Sequence, residues 1–172
     1  MPALQTPTPL PTLVIGCGNP LCGDDAAGVE VVRLLAAQPL PPHVRCLDAG
    51  TSGLEVALAM RTAGCILLID AAKASEASHA CPGTIHELAP EQLPSTHKPP
   101  TAGLSIHTIR WDHALALATA LAAEHPLPPV RCYLIEGSSF DYAAPLSPAV
   151  AGAAQRLAEH LFQSLGGGDA PG

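Results

Sequence analysis

Positive charge is scarce in this chain and arrives late. Its 172 residues carry 8 Lys and Arg against 15 Asp and Glu, a net charge of −7, and the first basic residue is Arg33. That balance argues against a nucleic-acid backbone as partner, because such binding rests on clustered cations that neutralise phosphates. It suits cations or a basic peptide. Residues 1–11 hold four prolines and no Lys or Arg, so the charged start and apolar centre of an export signal are missing. No uninterrupted apolar stretch approaches the roughly 18 residues that a membrane span requires. A soluble, cytoplasmic protein is expected. There is no C-x-x-C pair, and Cys46, Cys65 and Cys132 fall within or beside apolar runs, so the six cysteines predict buried, reduced thiols rather than a disulfide or zinc framework. Also absent are an H-E-x-x-H helix and a G-x-S-x-G elbow, while Cys17 and Cys22 lack a histidine partner nearby in sequence.

What is present concentrates in Thr12 to Leu35, TLVIGCGNPLCGDDAAGVEVVRLL. A bulky apolar run, a glycine-rich turn and an apolar helical pattern predict a buried parallel strand, a loop and a helix. A dinucleotide fingerprint would need its third glycine where Leu21 stands, and the lysine of a phosphate loop is missing. Asp24 and Asp25 would sit at the helix N-terminus, where an anion would otherwise be received. Two readings stay open for the pair. Aspartate caps helices well, and two adjacent carboxylates can also hold a metal ion.

Along the rest of the chain the patterning predicts a helix over about 25–37, a strand over 43–47 ending at Asp48, and a helix over 52–61 opened by the capping box Ser52 to Glu55. A strand over 65–69 ends at Asp70, and a short strand over 83–88 follows too closely for a parallel crossover, so it is expected as an antiparallel edge. A proline-rich loop over 90–103, a helix over 106–123, a strand over 130–135 ending at Glu136, and a helix from Ser147-Pro148 to about Leu165 complete the order. Strands alternating with helices at this spacing predict a three-layer αβα sandwich around a five-stranded, mostly parallel sheet. A single domain over 1–165 is expected, with 166–172 as a disordered tail.

In open α/β sheets the carboxyl ends of parallel strands share one edge, and ligands bind where strand order reverses. Asp24 and Asp25, Asp48, Asp70 and Glu136 are all expected at that edge. Any one of them can be a loop anchor; a metal site is the alternative reading for the set. Mixed nitrogen and oxygen ligands suit zinc or nickel, which calls for an imidazole among the eight histidines. His107 falls in the first turn of a predicted helix, where the helix N-terminus favours a neutral, ligating ring. His113 lies about 240° further round that helix and cannot share its ligand. His97, in the long loop, is the fallback.

Taken together, GCGNPLCGDDAAG after the first strand, DAGTSG after the second, LLIDA at the third and SIH opening a helix resemble the hydrogenase maturation endopeptidases, over about residues 12 to 160. The resemblance implies an enzyme that removes the C-terminal peptide of a nickel-iron hydrogenase large-subunit precursor once nickel has been inserted. It implies Asp25, Asp70 and His107 as metal-contacting and catalytic residues, and Asp48, Gly50 and Thr51 as substrate contacts. The nickel is then carried by the substrate, no permanently bound cofactor is required, and cadmium or zinc would stand in for it in crystals. Neither nucleotide nor membrane is expected as partner. Ala26 stands where family members often have glycine, a change that a helical position tolerates. An escort that senses nickel in the precursor and cuts nothing would need the same residues, so it remains the alternative.

Overall fold

Short apolar runs without an interior charge are stable as strands only when both faces are covered, and this chain covers them with helices. The computed structural model describes residues 10–73, 81–89, 92 and 127–166. In chain order the elements are β1 (Thr12–Cys17), a 3-10 turn (Gly23–Ala26), α1 (Ala27–Ala36), β2 (Val44–Gly50), α2 (Gly53–Met60), β3 (Cys65–Lys73), β4 (Ile85–Leu88), β5 (Val130–Gly137) and α3 (Pro148–Ser164). They build a five-stranded sheet in the order β2-β1-β3-β5-β4. The first four strands in that order run parallel, and β4 pairs antiparallel with β5 at the edge, as the short connection requires. The predicted loop over 90–103, save Gln92, the helix over 106–123 and the tail past Gly166 lie outside the described residues.

Strand alternation divides the core into two layers. Val14, Leu67, Ile69, Tyr133 and Ile135 face α1 and α3, packing on Val31, Leu35, Val150, Leu157 and Leu161. Ile15, Ile66, Leu68 and Cys132 face the other way, onto Val56, Ala57 and Met60 of α2. Helices on both faces give the three-layer sandwich expected from the sequence. The reversal of strand order falls between β1 and β3, and this is the crevice that an open parallel sheet offers to a ligand.

Helix α1 begins at Ala27, two residues later than the patterning predicts, because Gly23 to Ala26 wind into a 3-10 turn entered through a left-handed Gly23 (φ 54°). Ala26 has right-handed helical angles (φ −72°, ψ −8°), so the absence of glycine there costs nothing. The glycine that matters for packing is Gly28, where a Cβ would overlap the backbone carbonyls of Cys17 and Ile69. It lets α1 lie directly on the backbones of β1 and β3. Gly28→Ala is therefore expected to cost about 2–3 kcal/mol through overpacking, lowering the melting temperature by roughly 5–10 °C for a domain of this size. Thermal unfolding checks this, and an unchanged melting temperature would mean that α1 lifts off the sheet freely.

Candidate active site

The carboxyl ends of β1, β2 and β3 open onto one cleft of about 310 Å³, lined among others by Gly18, Asp25, Gly50, Thr51, Asp70 and Phe140. Four of the residues singled out in the sequence, Asp25, Asp70, Gly50 and Thr51, therefore share one concavity although they come from three separate segments. Each is held by local backbone chemistry. Asp25 Oδ2 accepts the Asn19 amide N–H at 2.8 Å, which closes the first loop back onto itself. Asp70 is 7% exposed, and its Oδ1 accepts the amide N–H of Ala71 at 2.8 Å. Gly18 stands between the two acids. It has φ 124°, a Cβ on it would overlap the Asp25 carbonyl oxygen, and that Cβ would come 3.6 Å from Asp70 Oδ1. The Gly18 amide donates to the Gly50 carbonyl at 2.8 Å, tying the first loop to the turn that presents Thr51.

Asp48 does not join them. Along β2 it has the parity of Val44 and Cys46, which pack on the α1 side, whereas Asp70 has the parity of Ile66 and Leu68 on the α2 side. The Asp48 carboxylate instead meets the Arg33 guanidinium of α1 at 3.3 Å, an exposed pair that contributes little to stability. Asp24 also leaves the cleft, and its carboxylate is spent on amides of residues 138–147. Glu136 is 6% exposed, with Oε1 2.9 Å from His86 Nε2 on β4 and with Oε2 unpartnered among the described residues. Both His107 and His97 lie outside the described residues, among which no three His, Cys, Asp or Glu side chains gather around a possible metal position.

Several cleft residues were not among those the sequence assigned to the site. Cys17 lines the cleft at the end of β1, yet burial pushes its thiol well above the usual range, and the neighbouring Asp70 and Cys132 push it the same way. It stays protonated and is no thiolate nucleophile. Lys73, at the end of β3, brings a cation to the rim, and Phe140 supplies an aromatic wall from a loop far away in sequence. Only Ser52 had a recognisable signature. Its Oγ accepts the Glu55 amide at 3.4 Å, so it caps α2 as well as lining the cleft. What remains chemically active is a pair of carboxylates at the strand-order reversal, flanked by glycine backbone that admits an extended chain or a hydrated cation.

Known proteins resemble this chain in sequence and in fold. The family model described as HycI, hydrogenase maturation protease, matches residues 29–164, beginning just past the first loop. The hydrogenase expression/formation protein HupD of Rhodobacter capsulatus is 30% identical over 154 residues, covering 88% of this chain and 68% of that protein. The hydrogenase 2 maturation protease of Escherichia coli is 36% identical over 112 residues, covering 64% of this chain; the chain spans 61% of that relative's length. Among solved structures, the hydrogenase maturating endopeptidase HybD from E. coli superposes with a TM-score of 0.71 at 27% identity, covering 90% of this chain and 91% of that one. A hydrogenase maturation protease HycI from Thermococcus kodakarensis superposes with a TM-score of 0.66 at 19% identity, over 91% of this chain and 93% of that one, a likeness of fold. The order of strands, the cleft at their carboxyl ends and these matches together make the chain a member of the hydrogenase maturation protease family.

Proposed function

We propose that the protein is an endopeptidase that removes the C-terminal peptide of a nickel-loaded nickel-iron hydrogenase large-subunit precursor. The observation that carries this reading is the meeting of Asp25 and Asp70 in one cleft at the strand-order reversal, with Gly18 between them and the Gly50-Thr51 turn alongside. Two carboxylates that line one open cleft attract a divalent cation, and here the cation arrives as part of the substrate. His107 supplies the nitrogen donor in this reading, with His97 as the alternative position. Asp25 and Asp70 orient the substrate's nickel so that a water beside it attacks the scissile carbonyl. The new C–O bond forms as the C–N bond breaks, and the proton released from water leaves with the amine of the departing peptide. Gly18 and Gly50 line the cleft without side-chain bulk, which leaves room for the tail to lie extended beside the two acids. Phe140 and Val56 give the tail an apolar wall.

The nickel then marks the precursor as ready, because an unloaded precursor offers the two carboxylates nothing to grip. Incubation of the purified protein with loaded and unloaded precursor is expected to shorten only the loaded one, by a single peptide, as read by intact mass. Binding of the loaded precursor without loss of mass would instead identify an escort. Equal trimming of both forms would remove nickel from the recognition step.

A further inference from the structure

Among the described residues four large apolar side chains are exposed, and two of them, Leu21 (57% exposed) and Tyr142 (77%), are brought side by side by backbone pairing. The Ala143 amide donates to the Leu21 carbonyl at 2.7 Å, and the Gly23 amide donates to the Ala144 carbonyl at 3.2 Å. Both stitched loops also line the cleft, the first through Gly18 and Asp25 and the second through Phe140. Ala143 has φ 60°, the sole non-glycine residue with positive φ among those described. Side-chain-bearing residues rarely adopt that conformation, and here it stands directly beside the outward-facing tyrosine. The chain holds only five aromatic residues, so an exposed tyrosine fixed by a strained neighbour is an unusual use of a scarce side chain. Tyrosine is among the residue types enriched at the energetic centres of protein interfaces.

We propose that Leu21 and Tyr142 form a docking ridge for the folded body of the precursor whose tail enters the adjoining cleft, an inference that rests on the function proposed above. The partner surface it fits is an apolar pocket bordered by basic side chains, since Asp141 is exposed between Phe140 and Tyr142 and the chain carries a net charge of −7. The same charge disfavours a second copy of this chain as occupant, because both copies would present Asp141. The ridge is also coupled to the catalytic loop. Asn19 Oδ1 accepts the Leu21 amide at 3.0 Å while the Asn19 amide donates to Asp25 Oδ2, so one turn carries both the docking side chain and the carboxylate. Docking there registers the tail against Asp25.

The test is steady-state cleavage of the nickel-loaded precursor by Leu21→Ser, Tyr142→Ser and the double variant, with thermal unfolding and sedimentation alongside. The double variant is expected to raise KM at least tenfold with kcat within twofold of wild type and an unchanged melting temperature. A KM within twofold overturns the ridge. Should wild type bind the loaded precursor without cutting it, the endopeptidase reading fails and the ridge is judged by the same tenfold criterion in Kd. A wild-type protein that ignores the precursor, yet sediments as a dimer dispersed by Tyr142→Ser, overturns the choice of partner.

Discussion

Asp25→Asn and Asp70→Asn are each expected to lower the rate of precursor trimming by at least about a hundredfold, on the order of 3 kcal/mol of lost transition-state stabilisation. Asparagine keeps the size and one acceptor oxygen, so it still takes the Asn19 amide N–H at position 25 and the Ala71 amide N–H at position 70. What it loses is the charge that, in the proposed function, grips the substrate's cation. Stability is expected to move little in Asp25→Asn, which keeps the bond that closes the first loop, so its melting temperature should hold. Loss of activity with retained stability separates a catalytic carboxylate from a structural one. If the pair acts as a unit on one metal, the double variant will be scarcely slower than either single one. Rates that multiply would place the two acids in independent roles, and full trimming by either single variant would remove it from the site. Mass of the trimmed product and thermal unfolding are the two readouts.

Much of this arrangement was legible in the chain itself, and the exceptions have physical causes. Strand β1 forms over the residues its apolar run marks, and Asp25 after β1 and Asp70 near the end of β3 meet because parallel strands bring their carboxyl ends to one edge. Asp48 shares that edge and misses the cleft, since successive residues of a strand point to opposite faces and its parity sends it toward α1 and Arg33. Motif resemblance locates a segment but does not count residues along its strand. The boundary of β3 differs for a related reason. It continues to Lys73 because β5 runs alongside, pairing Ala72 with Glu136, and no local signal at 70–73 reports a neighbour some sixty residues away. The loop that carries Phe140 and Tyr142 is held in place by the carboxylate of Asp24 across the chain, a contact that no local pattern reports.

Asp24→Ala is expected to be the most destabilising single substitution considered, at about 3–5 kcal/mol, lowering the melting temperature by roughly 10 °C or more. Asp24 is wholly buried. Its Oδ2 accepts the amide N–H groups of Ser138 and Ser139 at 2.8 and 3.0 Å and the Ser138 hydroxyl at 3.2 Å, and its Oδ1 accepts the Ser147 amide at 2.7 Å. The carboxylate thus gathers a loop from the end of β5 to the start of α3, and it is neither cap to its own helix nor ligand in the cleft. Alanine leaves those partly buried amides without this acceptor, which costs more than the bonds themselves contributed. Asparagine retains one oxygen but turns an amide donor toward other donors, so an intermediate loss is expected. The pH dependence identifies the charge as the active element. Burial raises the Asp24 pKa, but the amides of Ser147, Ser138 and Ser139 more than offset it, and the net value lies below that of an ordinary aspartate. A carboxyl whose pKa is depressed on folding stabilises fully above the unfolded value, near 4, and loses that contribution as the pH falls from there through the folded value. The gap in melting temperature between wild type and Asp24→Asn is therefore expected to be widest at neutral pH and to narrow below about pH 4. Parallel curves would show that the carboxylate holds the loop by shape alone. The same substitution frees the segment that carries Phe140 and Tyr142, so the KM for precursor should rise in Asp24→Asn even at temperatures where the fold is intact, linking Asp24 to the site from behind.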